Sequence, residues 1–122
     1  MLNILFHQKS FRAYLLICIV AIEFLATTTI HIEVVESMWD KANHFIAFFV
    51  LYILLSFAFK NLGTLIKSII LVAFGLQIEI VQSFIDGRFF SLLDVVADSI
   101  GILIGIVSLK LIQKFIFKHY HL

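Results

Sequence analysis

Apolar residues run through this chain in four long blocks separated by short polar breaks, and the pattern predicts helices over about 13–30, 42–59, 64–85 and 92–112. At about 1.5 Å of rise per residue, each block reaches about 27–33 Å, enough for the hydrocarbon core of a bilayer with modest tilt. Among the charged residues inside these blocks, Glu23, Glu79 and Asp98 demand partners or a purpose. Charge is expensive in lipid, so each is expected to face protein rather than acyl chains. The expected architecture is all-α: a polytopic four-transmembrane-helix bundle forming a single domain over 1–122.

The first block has two readings. Lys9 and Arg12 ahead of Ala13–Ala26 also resemble a secretory signal. No small-x-small site follows, and Thr27, Thr28 and Thr29 continue the segment, so a retained first helix is the expectation.

Composition agrees with the pattern. The chain is 62% hydrophobic and 14% charged, with no proline, and a soluble domain of 122 residues could not hide that much apolar surface. Cys18 is the only cysteine, which excludes a disulfide framework. Lys9, Arg12, Lys60, Lys67, Lys110, Lys114 and Lys118, seven of the nine basic residues, fall on one side of the expected bundle. The positive-inside rule makes that side cytoplasmic, with both termini inside and residues 31–41 and 86–91 outside. All eight carboxylates then lie toward the outer face. The chain is expected in the bacterial cytoplasmic membrane as a multi-pass protein. Its expected partners are membrane lipids, which the basic stripe Lys110, Lys114 and Lys118 would meet at their anionic headgroups. The basic residues are few and are explained by topology, so nucleic-acid binding has no support.

Polar residues concentrate at one depth. Asp40 and His44 share a helix face four residues apart, with Lys41 beside them. Glu79 and Gln82 share another, and Arg88, Ser91, Asp94 and Asp98 lead into the fourth helix. The candidate ligand-binding residues are therefore Asp40, Lys41, His44, Glu79, Gln82, Arg88, Asp94 and Asp98. No catalytic set, metal ligand or cofactor is assigned. Asp40 and Asp94 have a structural reading as well, because Ser37-x-x-Asp40 and Ser91-x-x-Asp94 match the capping box. Glu79, Gln82 and Asp98 hold no capping position, and their bland reading is hydrogen-bonded glue between helices. Glu23 is either isolated or a partner of this network. The carboxylates outweigh Lys41 and Arg88, so protonated carboxyls, a charged His44 or a bound cation would each relieve the imbalance. Gly101-x-x-x-Gly105 is expected to let the fourth helix approach a neighbour within the chain rather than a second copy. Oligomeric state stays open.

Asp40-Lys41 followed by His44-Phe45, then Glu79-x-x-Gln82, then Arg88 followed by Ser91, Asp94 and Gly101, resembles the VanZ-like family of small membrane proteins. The resemblance covers about Asp40 to Gly105. Asp98 stands where that family usually has asparagine, and Phe48 where tyrosine is frequent. The resemblance implies a role at the cell envelope, the namesake being tied to low-level resistance to the glycopeptide teicoplanin. The favoured expectation is non-enzymatic: an outward polar pocket that binds or modulates an envelope lipid headgroup or a lipidated amphiphile such as a lipoglycopeptide. The alternative is a membrane-embedded hydrolase or transferase on a lipid-linked precursor. His44 or Glu79 would then be the general base, Lys41 and Arg88 would stabilise anionic oxygens, and Asp94 and Asp98 would hold a hard divalent cation. No Gly-x-Ser-x-Gly, His-Glu-x-x-His or phosphate-loop motif accompanies it. A purely structural or accessory role is the second alternative.

Overall fold

Backbone amides in lipid have no water to bond, and this chain answers that constraint with helices. The computed structural model describes residues 2–27, 38–85 and 90–115, with side chains placed over 8–27, 42–85 and 90–115. Four helices account for almost all of them: α1 (Leu2–Thr27), α2 (Met38–Ala58), α3 (Thr64–Gln82) and α4 (Leu92–Phe115). No strand occurs among the described residues. Gln8–Thr27, Thr64–Gln82 and Leu92–Phe115 are each long and apolar enough to cross a membrane. The apolar part of α2, Ala42–Ala58, is shorter. At about 26 Å it sits at the lower limit for a span.

α1 starts at Leu2, well before the apolar block does. Arg12 does not interrupt the helix, and its exposed side chain lies against the end of α2: Nε donates to the Ala58 carbonyl at 3.0 Å, and the guanidinium lies 4.5 Å over the Phe59 ring. Next to it Phe11 stacks on Phe57 at 5.1 Å. α3 stops at Gln82 rather than continuing to 85, and Ser83, Phe84 and Ile85 close the end with turn bonds to the carbonyls of Glu79, Val81 and Gln82.

α2 and α3 each touch all three other helices, and α1 and α4 lie on opposite flanks of that pair. α2 supplies half of the buried apolar core among the described residues. Phe48, Leu51, Tyr52, Leu55 and Ala58 are buried at helical spacing along it. The outward faces are apolar too, with Leu16, Ile17, Phe24, Ile69, Ile100 and Leu103 exposed. Around a small bundle such a surface calls for lipid rather than water.

Two glycines set the distance between α2 and α4, which run parallel. A Cβ at Gly101 would overlap the Phe45 carbonyl oxygen and come within 3.1 Å of the Phe49 nitrogen. At Gly105 it would meet Tyr52 Cδ1 at 2.9 Å. The glycine stripe is therefore used within the chain, where it lets two backbones touch. Lys67, assigned by sequence to the cytoplasmic edge, is buried near the opposite end of the bundle from the carboxylates. Its Nζ donates to Ser56 Oγ at 2.8 Å and sits 4.8 Å above the Tyr52 ring.

Gly101→Ala overlaps fixed backbone, whereas Gly105→Ala meets only the buried Tyr52 side chain, at 2.9–3.2 Å. Overpacking costs about 1–3 kcal/mol. Thermal unfolding in detergent should place Gly101→Ala at the upper end of that range and Gly105→Ala at the lower. Equal losses would mean that backbone contact does not set the α2–α4 spacing.

Candidate functional site

The start of α2, the end of α3 and the first two turns of α4 lie at one end of the bundle, and each delivers an ionisable side chain there. His44 enters from α2, Glu79 from α3, and Asp94 and Asp98 from α4. The three carboxylate residues are buried, and the His44 side chain is 12% exposed. His44 Nδ1 lies 2.8 Å from Asp98 Oδ1. With the Asp98 carboxylate accepting, the ring proton sits on Nδ1 and Nε2 keeps a lone pair. Nε2 points toward two more carboxylates, at 3.5 Å from Asp94 Oδ2 and 3.9 Å from Glu79 Oε1. Gly75 of α3 makes room for this packing, since a Cβ there would stand 2.6 Å from Asp98 Oδ2.

The start of α4 explains how the Asp94 carboxylate comes to face His44. Its N-cap is Ser91, whose Oγ accepts from the Asp94 backbone N–H at 3.4 Å, one arm of a capping box. The reciprocal arm would bring the Asp94 carboxylate back to the Ser91 N–H. Glu79 takes that role from the neighbouring helix, its Oε2 accepting the Ser91 N–H at 2.9 Å. The Asp94 carboxylate is left to face His44. The expected capping motif is thus half made within the helix and half across the bundle.

Of the eight residues expected at the site, His44, Glu79, Asp94 and Asp98 come together. Gln82 is buried but turns to α1, where its amide donates to the Ala26 carbonyl at 3.0 Å. The side chains of Asp40 and Lys41, and Arg88 altogether, lie outside the described residues. Glu23 meets Gln77, whose amide donates to Glu23 Oε1 at 2.8 Å. Sequence reasoning missed Gln77, although an amide inside an apolar span was a signal. It also missed the buried Lys67–Ser56 pair.

Four helices with apolar outer faces around a sequestered acid–histidine cluster define a small helical membrane protein. The family follows from the sequence as a whole: a model of the VanZ/LLP1 family matches residues 2–113, and the chain belongs to that family. No curated protein and no solved structure matches the chain.

Asp98→Ala removes the acceptor of the His44 Nδ1–H, and a buried donor that loses its partner costs about 1–3 kcal/mol. Asp98→Asn keeps an acceptor oxygen in place. Circular-dichroism melts should therefore show a clear loss for the alanine variant and a smaller one for the asparagine variant. The reverse order would remove the His44–Asp98 bond from the account of stability.

Proposed function

We propose that this protein is a multi-pass protein of the bacterial cytoplasmic membrane whose acid–histidine cluster opens at the outer leaflet and binds the polar head of an envelope lipid or lipidated amphiphile. The carrying observation is the convergence of His44, Glu79, Asp94 and Asp98 from three helices. Helix association in membranes gains only about 0.6 kcal/mol per polar contact on average. Three carboxylates around one imidazole exceed what gluing the bundle requires. The orientation rests on charge: Arg12, Lys60, Lys110 and Lys114 belong to the opposite end, the end that the positive-inside rule keeps in the cytoplasm. Phe84 and Phe90, both exposed beside the cluster, offer apolar surface for an acyl chain.

A second reading, a hydrolase or transferase acting on a lipid-linked precursor, draws on one observation. Asp98 orients His44 through Nδ1 and turns Nε2 toward Glu79 and Asp94, which is how a carboxylate aligns a general base.

Expression of the protein should lower susceptibility to a teicoplanin-like lipoglycopeptide, and Glu79→Gln, at equal membrane abundance, should abolish the difference. If the variant protects as well as the wild type, Glu79 is not part of the binding site.

A further inference from the structure

Glu79 is fully buried, yet its two oxygens are treated differently. Oε2 accepts the Ser91 N–H, while Oε1 has no hydrogen-bond partner. That oxygen is aimed into the space beside His44 Nε2, 3.9 Å away. Asp94 Oδ2 borders the same space at 3.5 Å from Nε2. One donor atom each from His44, Glu79 and Asp94 lies within 4.8 Å of the other two. A buried carboxylate oxygen with no donor leaves a desolvated negative charge uncompensated.

We infer that His44 Nε2, Glu79 Oε1 and Asp94 Oδ2 form a binding site for one divalent metal ion. Donors about 2.0–2.2 Å from a tetrahedral ion stand about 3.3–3.5 Å from one another. The 3.5 and 3.9 Å from Nε2 are close to that, and all three donors lie within 4.8 Å of one another, so rotation of the two carboxylates would have to draw them in. The imidazole is already set for ligation: Asp98 holds the proton on Nδ1 and directs the Nε2 lone pair inward, the outer carboxylate that metal-bound histidines commonly carry. One imidazole with two carboxylates suits zinc(II) or manganese(II) better than calcium or magnesium, which take oxygen ligands. Two positive charges also offset the negative charge of the cluster. Three protein donors leave at least one coordination position open to water or to an anionic oxygen of a bound molecule.

The site belongs to the protein alone and does not depend on which amphiphile reaches it. The test uses full-length protein in detergent, stripped with chelator and titrated with manganese(II) or zinc(II). One ion per chain is expected, together with a higher melting temperature. In the manganese form, pulsed electron paramagnetic resonance should show nitrogen coupling from a directly bound imidazole, a measurement that needs no variant. Glu79→Gln and Asp94→Asn should each weaken binding by at least about tenfold, while Gln77→Ala, outside the cluster, should leave it unchanged. No stoichiometric ion, an ion without nitrogen coupling, or a folded Glu79→Gln protein with undiminished affinity would each overturn the inference. A susceptibility difference that depends on Glu79 in a protein that binds no ion would remove the metal and leave amphiphile binding standing.

Discussion

Inside a bilayer a polar side chain must find its partners in the protein, and here that constraint is met by a bond between parallel helices. His44 on α2 and Asp98 on α4 stand 2.8 Å apart because Gly101 and Gly105 allow the two backbones to touch. Moving the helices apart by the width of a methyl group would break it. Gly75, on the third helix, leaves the space that Asp98 fills. Small residues and charged ones therefore serve one purpose: the first bring the helices near enough for the second to satisfy each other.

Glu79 ties the last helix into this arrangement through its backbone. By accepting the Ser91 N–H it completes the α4 N-terminus from outside the helix, and the local acid, Asp94, is released toward His44. A stabilising device and a candidate chemical group thus share one carboxylate. The two Glu79 oxygens divide the work, Oε2 for the helix end and Oε1 for the cluster.

Hydropathy located the helices well where breaks are sharp. α3 begins at Thr64 after Gly63, and α4 begins at Leu92 after Ser91. It failed at the start of α1, because a scale that counts Arg12 as polar cannot know that the guanidinium will reach the Ala58 carbonyl. Helical spacing was enough to gather His44, Glu79, Asp94 and Asp98, since each sits one or two turns from a helix end at the same depth. It could not say which neighbour each would meet. Gln82 turning to α1, Gln77 to Glu23 and Lys67 to Ser56 all depend on the lateral order of helices. A single sequence does not carry that order.

Because α4 follows α2 and α3 along the chain, the order of synthesis separates the members of the cluster in time. α2 and α3, which carry His44 and Glu79, are made before Asp94, Asp98 and the Ser91 N–H. Neither helix can complete these contacts by itself, so until α4 is made their polar groups lack the partners that α4 supplies. Arrival of α4 is therefore the step that locks the fold. A chain interrupted before residue 92 would leave His44 without Asp98 and Glu79 without the Ser91 N–H.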